Sequence, residues 1–270
     1  MSDPLPAEML DHIISYLHDA QDTLRNCCLV SKSWVPRARQ HLFAVVLFST
    51  PKTLQLWKEM FPDPSTSPAR YTKTLSIDSA KVVAAVDAEV GSWIRGFSRI
   101  VRLEVERCAL YPGGPRFSLV PFHGISPVIK SFRVTVSTLP FSHIFDLILS
   151  FPLLEDLAVM VYQTPGEDGD DSEEGEIPAA AQPSSSPMFT GSLEVGLSRG
   201  MRAFTHRLLS LPGGTHFRNL TLTWNHGDDF SSTMSLVDGC SHTLESLDIT
   251  ATPLVRPPFV CVHSIAYFYS

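Results

Sequence analysis

Two kinds of hydrophobic periodicity divide this chain, a helical one near the N-terminus and an alternating one beyond residue 70. Apolar residues between positions 9 and 17 fall at i, i+1, i+4, i+5 and i+8, which is one stripe of an amphipathic helix. Pro6 suits the first turn of that helix, Asp22 is a predicted N-cap for a second helix, and Pro36 suits the start of a third. Three helices this short have little core between them, so the pattern predicts apolar surface that a partner covers.

The spacing of this segment carries a family resemblance over about residues 4–48. The residues that match are Leu5, Pro6, Glu8, Ile13, Leu17, Val30, Lys32 and Trp34. Together they resemble the F-box, a motif that docks its host onto a Skp-family adaptor within a cullin-based ubiquitin ligase. The resemblance implies that the adaptor contacts Leu5, Pro6, Met9, Ile13, Leu17, Leu24, Leu29, Val30 and Trp34. The sequence leaves open that the stripe is instead core for the rest of the chain.

A short alternating phrase recurs through the body of the chain, each copy typical of a strand with one buried face. The copies begin at Leu75, Leu103, Phe132, Leu157, Leu193, Leu220 and Leu247. Helix-like spacing fills several of the intervals, at residues 82–97, 141–151, 201–211 and 232–240. A strand and a helix at this period are typical of leucine-rich repeats, which stack into a solenoid with a parallel sheet.

The predicted fold class is therefore α+β overall, a three-helix F-box followed by an α/β leucine-rich-repeat-like solenoid. The predicted boundaries are 1–48 for the F-box, 49–70 for a Pro-rich connection and 71–256 for the solenoid. The body resembles the irregular repeats behind many F-boxes of fungal substrate adaptors. An ordinary α/β domain is the alternative, although no glycine-rich G-x-G-x-x-G turn follows any of the predicted strands.

One interval of the repeat is long and acidic. Residues 163–188 are poor in large apolar side chains and are predicted to be a disordered insert. Seven acids between positions 167 and 176, with no Lys or Arg among them, equal the formal net charge of −7, so the remainder is neutral. That balance argues against a basic nucleic-acid surface. Ser172 lies among these acids, which leaves open an acidophilic-kinase site or a plain solubilising loop.

Residues 257–270 form an apolar C-terminal tail. Two explanations stay open: the tail packs under the last repeat, or the sequence is shorter than that of related proteins. No apolar run is long enough to cross a membrane, and no signal-peptide pattern begins the chain. The five cysteines are an odd number without C-x-x-C spacing. We therefore expect reduced thiols in a cytoplasmic or nuclear protein.

Sequence signals for catalysis are weak. Walker, G-x-S-x-G and H-E-x-x-H motifs and zinc-ligand spacing are absent from the sequence. The one local acid–base cluster is His226-Gly227-Asp228-Asp229, which is more typical of a polar loop than of a hydrolase site. We therefore predict a protein that is not an enzyme, with no cofactor and no metal.

The predicted function is substrate recognition for a cullin-based (SCF-type) ubiquitin ligase, with partners limited to the adaptor, the cullin reached through it and an unknown target protein. Neither nucleic acid nor membrane is an expected partner. The target would contact the open face of the sheet, where outward residues alternate with buried ones. These are Ser76, Asp78, Glu104, Glu106, Arg133, Thr135, Glu194, Thr221, Thr223, Asp248 and Thr250. The alternative is a repeat-based interaction scaffold without a ligase role.

Overall fold

The structure is a computed structural model in which three short helices precede a parallel sheet. It describes residues 6–63, 66–78, 94–108, 122–123, 125–136, 141–161, 187, 189–197, 201–211, 213–224 and 230–251. The predicted acidic insert lies outside these residues except for Pro187. The C-terminal tail, Ser172 and the cluster at 226–229 also lie outside them.

The first three helices agree with the helical periodicity of the sequence. They are α1 (Ala7–Ser15), α2 (Gln21–Val30) and α3 (Val35–Leu42). Pro6 is the N-cap of α1, and Pro36 lies in the first turn of α3, where the ring costs no hydrogen bond. The prediction that Asp22 caps α2 is wrong, because Ala20 holds that position and no side chain caps the helix. Asp22 lies in the first turn and pairs with Arg25 instead.

The strands form one sheet of eight in which every neighbouring pair is parallel and the spatial order follows the sequence. Their bounds are β1 Val45–Phe48, β2 Thr74–Asp78, β3 Arg102–Cys108, β4 Ser131–Val136, β5 Asp156–Val161, β6 Ser192–Leu197, β7 Asn219–Trp224 and β8 Ser246–Ala251. All seven predicted phrases lie in β2–β8. Their first residues are register partners from strand to strand, as Leu75 is with Leu103 and Leu220 is with Leu247.

The strand that the sequence interpretation missed is β1. Val46 pairs with Leu75 and Phe48 with Ile77, so the phrase has an earlier copy inside the segment assigned to the F-box. Residues 49–70 were predicted as a connection, yet they contain α4 (Pro51–Met60), which a capping box between Thr50 and Thr53 begins. The first strand–helix–strand unit therefore begins at Val45, three residues before the predicted boundary at 48, and it includes a helix of the predicted connection.

Three further helices lie where helical spacing was predicted: α5 (Phe141–Leu149), α6 (Met201–Leu209) and α7 (Phe230–Cys240). Of the predicted helix at 82–97, only residues 94–97 are described. The main hydrophobic core contains buried side chains from β1–β7 and from α4–α7. Leu75 and Ile77 point into this core, and the alternate strand positions face the opposite, open side of the sheet.

A ladder of backbone hydrogen bonds joins neighbouring strands at six of the seven junctions of the described sheet, all except β5–β6. One carbonyl just before a strand accepts from two successive N–H groups at the start of the following strand. The carbonyls that accept in this way belong to Ala44, Lys73, Val101, Lys130, Gly191 and Arg218. We call these six groups the carbonyl ladder. Because its first member is Ala44, the ladder begins two residues after α3 ends at Leu42.

Candidate functional site

The three N-terminal helices enclose a small core of their own. Its buried side chains are Leu10, Ile14, Leu24, Cys27 and Ala38, with Leu17, Cys28, Trp34 and Leu42 packed partly against them. This cluster is separate from the main core. Among the described residues, the apolar stripe of α1 is therefore not enclosed by the sheet or its helices.

The opposite side of the same helices presents large apolar side chains to solvent. Met9, Ile13 and Tyr16 follow one another at i, i+4 and i+7 along α1, and Leu29 and Val30 end α2. Leu29 is 84% exposed and Met9 is 53% exposed. These five residues are called the exposed apolar set below. Such exposure in a module with so few buried residues is typical of a protein-binding surface.

The predicted adaptor contacts are divided between this surface and the interior. Pro6, Met9, Ile13, Leu29 and Val30 are exposed, whereas Leu17 and Trp34 are half-buried against the module's own core. Leu24 is 0% exposed, so its assignment to the contact surface is corrected: it holds α2 onto the other helices. Leu5 lies outside the described residues.

Tyr16 is the exposed apolar residue that the sequence interpretation missed. It lies seven positions after Met9, so the helical period that found Met9 and Ile13 could also have found Tyr16. Its ring packs edge-on against His12, with 4.8 Å between the ring centroids. The contact orients the phenol on the exposed side of α1.

The polar side-chain contacts described for the module lie at its surface. A salt bridge between Asp11 and Arg37 ties α1 to α3. Burial raises the pKa of the Cys28 thiol above its ordinary value of 9.0, Arg39 opposes the shift, and Cys27 adds to it. Cys27, Cys28 and Cys240 are free thiols. A raised pKa keeps Cys28 in its unreactive thiol form, which suits a packing role.

The joint between the helical module and the sheet is short and packed. The carbonyl of Ala44 accepts from the N–H groups of Lys73 and Thr74, at N–O distances of 2.8 and 3.0 Å. Phe43, the residue after α3, already packs against the main core, with its ring 5.9 Å from that of Trp57. The chain that connects the helical module to the sheet is therefore held by backbone hydrogen bonds and by packing of Phe43.

The open face of the sheet is the second candidate surface. One row across it contains Leu47, Ser76, Glu104, Arg133, Ala158, Glu194, Thr221 and Asp248, which are successive register partners. Arg133 donates to Glu194 over the intervening Ala158, with 2.7 Å between Nη2 and Oε2. Ser76 is only 8% exposed, so its assignment as a contact residue is corrected. Asp248 and Thr250 are exposed, and the remaining predicted target contacts are half-buried.

The face also contains residues that the sequence interpretation left out. Leu47 is exposed on β1, and Met160 of β5 is the register partner of Gly196. A Cβ atom at Gly196 would lie 2.5 Å from the Met160 sulfur, so the Met160 side chain extends over the glycine. Alternation along β5 predicts that Ala158 and Met160 also lie on this face, and the small and apolar character of both residues gave no signal of a polar contact surface.

Within the described part of the chain, no group of three or more His, Cys, Asp and Glu side chains could hold a metal ion. Within the same part of the chain, no helix has both the length and the apolar character of a membrane span. The described residues present two candidate surfaces, the exposed apolar set and the open face of the sheet.

The F-box-like family model matches residues 3–42 of the chain. The helical module is therefore similar to an F-box-like domain and is called the F-box-like domain below. The match ends at Leu42, the last residue of α3, so the F-box-like domain contains α1–α3 and excludes β1. F-box domains generally bind Skp-family adaptors. No curated protein and no solved structure matches the chain.

Proposed function

We propose that this protein is the substrate-recognition subunit of a cullin-based, SCF-type ubiquitin ligase. The exposed apolar set of the F-box-like domain carries the proposal. Among the described residues of this domain, five large apolar side chains are open to solvent beside a core of five buried residues. A helix face of this kind is stabilised when a partner helix covers it, and a few large apolar anchors supply most of the binding energy of such interfaces.

The proposed mechanism is positioning, and the protein itself carries out no chemical step and needs no cofactor. The F-box-like domain binds a Skp-family adaptor and, through it, a cullin. The sheet holds a target protein near a ubiquitin-loaded enzyme, which raises the local concentration of the target. The joint at Ala44 supports this mechanism, because backbone hydrogen bonds rather than a flexible segment connect the two surfaces.

The strand-and-helix units are proposed to be irregular leucine-rich repeats stacked as a solenoid. The sequential parallel order of the strands supports the proposal, as does the carbonyl ladder that recurs from one unit to the next. In such an arrangement the open sheet face is the natural target surface. Its polar row contains the Arg133–Glu194 ion pair, which is joined over the small Ala158 and is partly exposed.

Adaptor binding is tested by charge substitutions on two exposed apolar residues of similar accessibility. Met9→Glu changes a 53% exposed residue in the F-box-like domain, and Leu56→Glu changes a 52% exposed residue on α4. We expect Met9→Glu to weaken binding to a purified Skp-family adaptor by about tenfold or more, which corresponds to about 1.4 kcal/mol. Leu56→Glu should leave the affinity unchanged. Equal affinities for the wild type and both variants would refute the proposal and leave the scaffold function.

Target binding is tested by charge reversal on the two sides of the sheet. Asp248→Arg changes the open face at β8, and Asp238→Arg changes an exposed position on α7. Proteins captured by the wild-type chain should be lost with Asp248→Arg and kept with Asp238→Arg, while adaptor affinity stays constant for both. If both variants capture the same proteins as the wild type, the target does not bind at the open face of β8.

A further inference from the structure

One row of the open face places an apolar side chain, a hydroxyl and a carboxylate on three adjacent strands. Leu47, Ser76 and Glu104 are successive register partners on β1, β2 and β3. Neighbouring strands lie about 4.8 Å apart, so the row is roughly 10 Å wide. Leu47 is 49% exposed and Glu104 is half-buried. These three residues are called the β1–β3 row below.

The carboxylate of Glu104 has no partner for its charge among the described residues. Its register partner on β4 is Arg133, but that guanidinium donates to Glu194 instead, at 2.7 Å. Arg102 lies two residues earlier on the same face of β3, and within the described part of the chain it forms no ion pair with Glu104. Partial burial removes water from a carboxylate, so a cation that donates to Glu104 would replace the lost hydrogen bonds.

The hydroxyl of Ser76 is a second unpaired acceptor in the same row. Leu75 and Ile77 point into the main core, so the side chain of Ser76 between them points to the open face. At 8% exposure Ser76 offers a target almost no contact area, but its oxygen has no hydrogen-bond partner among the described residues. Buried hydroxyls in proteins are generally hydrogen-bonded, so this position lacks a donor.

The charge of the open face is negative, although acidic and basic residues balance in the chain outside residues 167–176. At the outward strand positions that the structure describes, six carboxylates oppose two guanidinium groups. The carboxylates are those of Asp78, Glu104, Glu106, Asp156, Glu194 and Asp248. The guanidinium groups are those of Arg102 and Arg133. A face of this sign attracts basic segments of a partner and repels acidic ones.

We propose that the β1–β3 row binds one Lys or Arg side chain of the target protein. The cation donates to the carboxylate of Glu104 and to the hydroxyl oxygen of Ser76, and its alkyl stem lies against Leu47. An apolar stem with several donors at its tip matches the order of the groups in the row. The inference rests on the proposed target function of the open face, and it names the class of target, a protein with an exposed basic segment.

Selection with a random peptide library displayed on phage tests the preference for a basic residue. The purified full-length chain is the bait, and the enriched peptides are synthesised for affinity measurement by fluorescence anisotropy. We expect Lys or Arg to be enriched at one position of these peptides. Norleucine at that position should weaken binding by about tenfold, because it keeps the stem and removes the charged donor.

Two isosteric variants of the chain locate the cation. Glu104→Gln neutralises the carboxylate of the row, and Glu59→Gln neutralises an exposed carboxylate on α4 as the matched control. We expect Glu104→Gln to weaken the basic peptide by about tenfold and to bind the norleucine peptide as the wild type does. Glu59→Gln should keep wild-type affinity for both peptides, and Ser76→Ala should weaken the basic peptide less than Glu104→Gln does.

Three outcomes would overturn the proposal. The first is a selection that enriches no peptides, or peptides without a preferred basic residue. The second is equal affinity of the wild type and Glu104→Gln for the basic peptide. The third is equal weakening by Glu104→Gln and Glu59→Gln, which would assign the attraction to overall charge.

Adaptor affinity, measured on the same proteins, separates this inference from the ligase function. A chain that binds no Skp-family adaptor but retains peptide binding that depends on Glu104 would refute the ligase function and support the basic-residue site. A chain that binds the adaptor but gives any of the three outcomes above would refute the site alone.

Discussion

Arg133 on β4 donates a hydrogen bond to Glu194 on β6, across the strand that separates them. The contact is possible because the intervening register partner on β5 is Ala158, whose side chain is too short to stand between the two charged groups. Both side chains are partly exposed. The bridge therefore links non-adjacent strands on the open face without burying an ion pair.

A double-mutant cycle with Arg133→Ala and Glu194→Ala should give a coupling free energy of about 0.2–1 kcal/mol, because exposed ion pairs contribute little. The free energy of unfolding is measured by urea denaturation at low salt and again at 1 M NaCl. We expect the coupling to shrink at high salt, where the Debye length is only about 3 Å. A coupling that is zero at low salt would contradict the contact.

The bridge also depends on the size of residue 158. Ala158→Leu should abolish the Arg133–Glu194 coupling, since a leucine side chain would occupy the space over β5. Ala158→Ser is the matched control and should preserve it. The measurement is the same double-mutant cycle in each background, and equal couplings in the two backgrounds would show that the guanidinium passes β5 by another route.

Leu24 and Leu29 lie five residues apart on α2. Substitution of Leu24 should lower stability, whereas substitution of Leu29 should leave stability nearly unchanged. Leu24→Ala removes a fully buried side chain and should lower the free energy of unfolding of the F-box-like domain by about 2–5 kcal/mol. Leu29→Ala changes an exposed side chain and should alter stability by no more than about 0.5 kcal/mol. Thermal denaturation followed by circular dichroism compares them.

Adaptor affinity supplies the complementary measurement for this pair. Leu29→Ala should weaken binding to a Skp-family adaptor although its stability is unchanged. Wild-type affinity for Leu29→Ala would remove Leu29 from the proposed interface, and wild-type stability for Leu24→Ala would contradict the small core of α1–α3.

Gly191 leaves space for a carboxylate. A Cβ atom there would lie 2.2 Å from Oδ1 of Asp156, which accepts from the N–H of Ser192 at 2.7 Å. Gly191→Ala should therefore displace the carboxylate and cost about 1–3 kcal/mol of stability, as overpacking generally does. In an Asp156→Ala background the same substitution should cost less, because the displaced group is gone. Equal costs in the two backgrounds, measured by urea denaturation, would refute this explanation.

The Cys28 thiol should make stability depend on alkaline pH. Burial raises its pKa in the folded state above 9.0, so the folded state favours the protonated form. That contribution is fully present below pH 9 and is lost as the pH rises through the folded-state pKa. Unfolding by urea under reducing conditions at pH 8 and pH 10 should show a loss that is smaller in Cys28→Ser. An identical loss in both proteins would assign it to other groups.

The strand positions of this fold were predictable from sequence because each strand repeats one local signal. Leu103 and Val105, for example, are buried at the same register as Leu75 and Ile77. The earlier copy in β1 was missed because it follows α3 so closely that helix and strand patterns merge. Val46 and Phe48 alternate like the other copies, but only their pairing with β2 separates them from the F-box-like domain.

The candidate surfaces were less predictable, because a period shows that residues share a face but not what covers that face. Leu24 and Leu29 belong to one apolar pattern, yet one lies in the interior and the other is exposed. Ser76 alternates outward like Glu104, but it is buried on the open face. Such differences arise from contacts between distant segments, which a local pattern does not contain.

The carbonyl of Ala44 accepts hydrogen bonds from the N–H groups of Lys73 and Thr74. These bonds limit how far the F-box-like domain can move relative to the sheet. A tethered enzyme with a loose hinge can search a wide region around its target. With this joint, a ligase that contains the protein would deliver ubiquitin only to lysines of the target that fall within a fixed zone. Target selection would then depend on where a lysine lies as well as on whether the target binds.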